Sequence, residues 1–169
     1  MNNIYFEKVS FEQFEKDLKA IYPSAFTDGM IRAAYDMIIL PKRSTVGAIG
    51  YDFFSPLSFA LTEKYPVILI PTGIRVHMDQ GVGLFLMPRS GLGFKTGMSL
   101  SNTIGLIDPD YYYADNEGHI MAKLERGFKD LDIDAGDRFM QGVFIPCLTT
   151  SEESLNCTVR TGGFGSTGL

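Results

Sequence analysis

From Ile38 onward, apolar residues come in short runs punctuated by Gly, Pro, Asn and Asp: MIILP, YPVILIPTGIRVHM, GVGLFLMP, GLID, HIMAKL, LDI and GVFIP. Ile74, Val76 and Met78 fall on alternate positions, as do Val82, Leu84 and Leu86. A period of two puts such side chains on one buried face, which is the signature of strands. Many short strands joined by Gly-rich turns predict a β-sandwich, jelly roll or barrel, and the lack of strand–helix alternation disfavours a parallel α/β fold.

The two ends read differently. Ser10-Phe-Glu-Gln13 has the form of a capping box, and Phe11, Phe14, Leu18 and Ile21 share one helical face until Pro23 ends the pattern. This predicts one short helix laid against the domain's own core, with a partner-docking surface as the competing role. The end, TTSEESLNCTVRTGGFGSTGL, is rich in Ser, Thr and Gly with few large apolar residues, a composition that predicts a mobile arm. The expected organisation is one domain: a helical extension over 1–40, a β-barrel over 41–148 and an arm over 149–169.

Composition narrows the function. A chain of 169 residues fits a single domain, and 45% hydrophobic against 21% charged residues permits a sizeable core. With Lys plus Arg at 15 and Asp plus Glu at 20, the formal net charge of -5 disfavours non-specific binding to nucleic acid or acidic membranes. It still allows a small phosphorylated ligand held by a few local arginines. No uncharged stretch is long enough to span a bilayer and the first twenty residues contain no apolar signal core, so a cytoplasmic protein is expected. Cys147 and Cys157 have no CxxC or Cys/His company and read as free thiols. His77 and His119 have no second ligand nearby and read as ordinary strand or loop histidines.

Three clusters carry polar chemistry. PRSGLGFKTG, Pro88 to Gly97, is Gly-rich but is not a P-loop, because Phe94 separates Gly93 from Lys95 and no helical pattern follows. Its Arg-Ser turn can still hold phosphate oxygens through the guanidinium, the hydroxyl and backbone N–H groups. LSNTIGLIDPDYYY, Leu100 to Tyr113, reads either as a plain hairpin of turn formers or as a hairpin whose backbone edge reads a ligand beside a carboxylate. In the tail, Phe164 lies between glycines with Arg160 before it and Ser166 and Thr167 after it. An arm of this kind reads either as a loose terminus or as a cover that stacks its ring on a base.

Taken in order, these strings resemble the five motifs of the dUTPase family. AIGYDFFSP resembles the first, PRSGLGFKTG the second, SNTIGLIDPDY the third, GDRFMQ the fourth and RTGGFGSTG the fifth. The resemblance covers about Pro41 to Leu169. It implies a jelly-roll β-barrel, a homotrimer with active sites shared between subunits, magnesium as cofactor, and hydrolysis of dUTP to dUMP and pyrophosphate. By the same resemblance Asp108 activates the attacking water, Tyr111 packs under the deoxyribose, and Asn102 with the backbone through Gly105, Leu106 and Ile107 reads the uracil edge. Arg89, Ser90 and Gly91 correspond to the phosphate-holding turn and Gln141 to a further phosphate contact. Asp52 corresponds to the carboxylate that organises magnesium through water. Phe164 with Gly165 corresponds to the uracil-stacking ring of the arm, Ser166 to a terminal-phosphate contact, and Arg160 to the arm's arginine. A dCTP deaminase of the same fold is the alternative enzyme, one that would carry no GGFGSTG arm. A dUTP-gated binder of a regulatory protein is the alternative from another class.

Overall fold

The structure, a computed structural model, describes residues 3–150. Its described strands pair in antiparallel fashion throughout, as the short alternating runs require. The central sheet has four strands in the order β2 (Tyr51–Phe54), β11 (Arg138–Pro146), β6 (Val82–Pro88) and β8 (Gly105–Ile107). A second sheet runs β4 (Val67–Pro71), β9 (Met121–Glu125), β7 (Ser99–Leu100). Two ribbons complete the barrel: β3 (Phe59–Leu61) with β10 (Leu131–Ile133), and β1 (Tyr5–Lys8) with β5 (Ile74–His77). This is the all-β architecture that the alternation predicts, of the jelly-roll type that the resemblance implies. Ile74, Val76 and Met78 are each at most 3% exposed, and Leu84 and Leu86 are buried with them.

The N-terminal segment holds more than one helix. Helix α1 (Phe11–Ile21) starts where the pattern places it: Ser10 is the N-cap and its hydroxyl accepts the Gln13 N–H at 3.1 Å. The reciprocal half of the capping box is missing: the Ser10 backbone N–H donates to Glu117, and the Gln13 amide donates to Asp17. Phe14 and Leu18 reach 0% exposure, so the helix packs on the barrel's own core. A second helix, α2 (Asp28–Asp36), follows behind an N-cap at Thr27. Before both lies β1, which pairs with β5 and places Phe6 among the rings of Tyr51, Phe53 and Phe144 at 5.5–5.6 Å.

Two further expectations are corrected. The Gly-rich second cluster does form a helix, α3 (Ser90–Thr96), ended by Gly97 in the left-handed conformation at φ 76. Three glycines within ten residues mask its periodicity. The third cluster is no hairpin either. Strand β7 pairs with β9 and β8 pairs with β6, so the turn at Ser101–Ile104 is a corner joining the edges of two sheets. Thr103 makes that corner at φ 65.

Candidate active site

The site is built around β6 and its neighbours. At the C-terminal end of β6, the second motif begins with Arg89. In the register of the central sheet Gln141 faces both Asp52 on β2 and Met87 on β6. Asp52 is 6% exposed, and a carboxylate at that depth needs partners. It has two: Arg89 Nε donates to Oδ1 at 3.0 Å, and Arg138 Nη1 donates to Oδ2 at 3.2 Å. One carboxylate between two guanidiniums leaves a local excess of one positive charge and holds both forks in place. Arg138 was not among the residues singled out by sequence. Its string GDRFMQ was, but only the β2–β11 pairing brings the guanidinium onto Asp52. Ser90 and Gly91 lie exposed at the start of α3.

The third motif occupies the other end. Asn102, Gly105 and Ile107 line an apolar cavity of about 380 Å³ together with Leu86, Leu100 and Met140. Strand β8 is the outermost described strand of its sheet, so its outward backbone groups pair with no other described strand. Leu106, on the opposite face, lines a second cleft with Asp108 and Asp110. Asp108 is the half-buried residue that leads from β8 into the 3₁₀ turn Pro109–Tyr113. Pro109 fixes the entry to that turn, where a missing N–H costs nothing.

Tyr111 is 2% exposed. Its hydroxyl donates to the His119 carbonyl at 2.8 Å and accepts from the Asn116 side-chain amide at 2.8 Å. Gly118 stands behind it at φ 68, where a Cβ would come within 2.7 Å of the Tyr111 carbonyl oxygen. The ring is therefore held by its neighbours before any ligand arrives. The candidates of the fifth motif, Arg160, Phe164, Gly165 and Ser166, lie outside the described residues.

Residues 36–168 match the model of the dUTPase family. The chain belongs to the dUTPase family. A deoxyuridine 5'-triphosphate nucleotidohydrolase of Lactococcus lactis subsp. lactis is 44% identical over 137 residues, covering 78% of this chain and 89% of that protein. Its counterpart in Haemophilus ducreyi is 38% identical over 136 residues, covering 76% and 86%. A crystal structure of dUTPase from Streptococcus mutans, 32% identical, superposes with a TM-score of 0.62 over 86% of this chain and 98% of that one. All five dUTPase-like strings fall inside the matched range. Strand β1 and helix α1 precede it.

One spacing bears on how a dUTPase of this build works. Ile107 pairs with Leu84, so Asp108 lies level with the N-terminal part of β6, whereas Arg89 follows its last residue. Six residues separate those levels, or about 20 Å at the rise of an antiparallel strand. Within one chain, the carboxylate of the third motif and the arginines of the second and fourth stand at opposite ends of a strand.

Proposed function

We infer that this chain is a dUTP diphosphatase, splitting dUTP into dUMP and pyrophosphate and so limiting uracil in DNA while supplying dUMP. The observation that carries this reading is the placement of Asp108: it lies one residue beyond an outer strand and three residues before the buried ring of Tyr111. The base enters the cavity beside Asn102 and Gly105, where the backbone from Gly105 to Ile107 reads its edge. A polar edge left unpaired rejects cytosine more strongly than a lost apolar contact would. Tyr111 forms the floor under the deoxyribose, and because the ring is fixed it gives no room to a 2′-hydroxyl. Asp108 then orients a water in line with the α-phosphorus and takes its proton as the new P–O bond forms and pyrophosphate leaves.

The phosphates need Arg89, Ser90, Gly91 and Gln141, yet about 20 Å of strand separates Arg89 from Asp108 within one chain. A nucleotide whose α-phosphorus lies beside Asp108 does not reach that far. The site is accordingly assembled between copies in a homotrimer: Asp108 and Tyr111 come from one chain and the phosphate-holding arginines from another. Phe164 and Gly165 of the arm cover the base, with Arg160 and Ser166 toward the phosphates.

Magnesium fits this donor set in one way. Among the described residues no cluster of three or more His, Cys, Asp or Glu could cage a metal, and both oxygens of Asp52 are engaged by arginine. The ion would be carried in with the triphosphate, and Asp52 would orient part of its water shell. When bound it neutralises charge on the phosphates. No described helix is long and apolar enough to cross a membrane, and the cytoplasm is the proposed location.

Pyrophosphate release measured with dUTP, dTTP, dCTP and UTP, with magnesium and with EDTA, tests the reading. Magnesium-dependent turnover of dUTP far above the other three is expected. Equal turnover of UTP or dTTP would overturn it, since the β8 edge and Tyr111 are held to exclude both.

A further inference from the structure

Between Tyr111 and β9 the chain makes a compact turn, Ala114 to His119, and two of its side chains, Glu117 and His119, reach the N-terminal segment. Glu117 has φ 57, a left-handed conformation that non-glycine residues rarely adopt. Its carboxylate accepts the Ser10 backbone N–H at 2.7 Å and the Ser10 hydroxyl at 2.6 Å, so the residue that caps α1 is also clasped by this turn. His119 is fully buried. Its Nε2 accepts the Gly73 N–H at 2.8 Å, which leaves the proton on Nδ1 to be donated to Asp17 of α1 at 2.6 Å. The neighbouring Tyr112 donates its hydroxyl to Glu7 of β1 and lies under the Arg75 guanidinium, which pairs with Glu7 at 2.7 Å. The same turn supplies both partners of the Tyr111 hydroxyl, the His119 carbonyl and the Asn116 amide.

We propose that the N-terminal segment is a positioning element of the active site: through Ser10–Glu117 and Asp17–His119 it fixes the 114–119 turn and thereby the Tyr111 ring that excludes ribonucleotides. The proposal rests on Tyr111 forming the floor of the sugar pocket. Asp17, Ser10, Glu117 and His119 touch no substrate in this account and act only through Tyr111. The turn's other bonds are short-range, Glu117 N–H to the Ala114 carbonyl and His119 N–H to the Asn116 carbonyl, and the barrel holds its far end through Gly73 N–H to His119 Nε2 and Ile120 N–H to the Ile74 carbonyl. The short-range bonds close the turn and the barrel bonds anchor its His119 end, but neither set holds the Glu117 end. The clasp from α1 does, because Phe14 and Leu18 seat that helix in the core.

The test is discrimination between dUTP and UTP by kcat/KM, measured beside thermal stability on the full-length protein. Glu117→Ala, and the milder Ser10→Ala in case the first does not fold, should raise KM for dUTP and narrow the dUTP/UTP ratio by roughly 10- to 100-fold, the scale of a small misplacement. Ser10→Thr, which keeps the hydroxyl and a good cap, should restore the ratio. Tyr111→Phe removes the bond to His119 and should match Glu117→Ala, and the double variant should be no worse than either. A lowered melting temperature with the ratio unchanged in both Glu117→Ala and Ser10→Ala would make the segment merely structural and overturn the proposal. Tyr111→Ala separates the two readings: if it leaves the ratio intact, the sugar-pocket reading has failed and takes the proposal with it.

Discussion

Asp108 and Gly118 bear on the proposed site in two different ways, one through chemistry and one through shape. Asp108 is the only carboxylate of the third motif that directly follows β8, and the proposed chemistry depends on its accepting a proton. Asp108→Asn keeps the shape and removes that capacity, so kcat should fall by at least ~10²-fold with the fold and nucleotide binding retained. Near-wild-type turnover would mean that another group activates the water. Gly118 acts through shape. Its left-handed φ opposes any side chain, and so does the Tyr111 carbonyl oxygen, which would lie only 2.7 Å from an added methyl. Gly118→Ala should cost about 1–3 kcal/mol of stability by urea unfolding, the usual scale for enforced backbone strain; a neutral result would show that the turn yields. Asp52 was legible as a motif carboxylate, but its clasp on Arg89 and Arg138 was not. Those three residues come from three strand ends, and only the sheet register brings them together.

Elements were legible in proportion to how much of their stability is local. The alternation at Ile74–Met78 and Val82–Leu86 marked β5 and β6, and the Ser10 cap marked α1. Strand β1 escaped notice because four residues, YFEK, carry too little pattern; pairing with β5 some seventy residues away makes them a strand. Helix α2 fully buries only Ile31, has Gly29 in its first turn and is nine residues long, so its apolar face, Ile31, Ala34 and Tyr35, spans little more than one turn. Helix α3 hides behind its glycines. The clasp between α1 and the 114–119 turn has a pH signature. Burial pushes the Glu117 carboxyl up, but the hydrogen bonds from Ser10 outweigh that and leave its pKa below the ordinary 4.5. Burial likewise opposes ionisation of Asp17, and the bonds from His119 and Gln13 outweigh it, leaving it below 3.8. Lowered folded values mean that the unfolded chain binds more protons in acid. Both contributions are therefore complete above the ordinary values and lost as pH falls through the lowered ones. Glu117→Gln should thus destabilise the protein at neutral pH, and the gap in melting temperature should close as the pH falls through the lowered Glu117 value, once both proteins carry an uncharged group. A gap that stayed constant from neutrality into acid would show that the charge on Glu117 contributes nothing.

At the scale of the whole molecule, one strand length organises the account. Strand β6 carries Asp108 beside its beginning and Arg89 beyond its end, about 20 Å apart, so in the proposed mechanism neither end of the strand completes a site by itself. Motif order announced the family, but this separation is a property of register and appears only when the strands are paired. The arm residues from Arg160 to Ser166 belong to the same proposed shared site. The most direct measurement mixes two inactive proteins, Asp108→Asn and Arg89→Ala, under conditions that exchange subunits, and follows pyrophosphate release from dUTP while mass measurement confirms exchange. Mixed trimers would place an intact Asp108 from one chain beside an intact Arg89 from another, and a fraction of wild-type activity should return. Confirmed exchange with no recovery would contradict a site built between copies and put both residues to work within one chain.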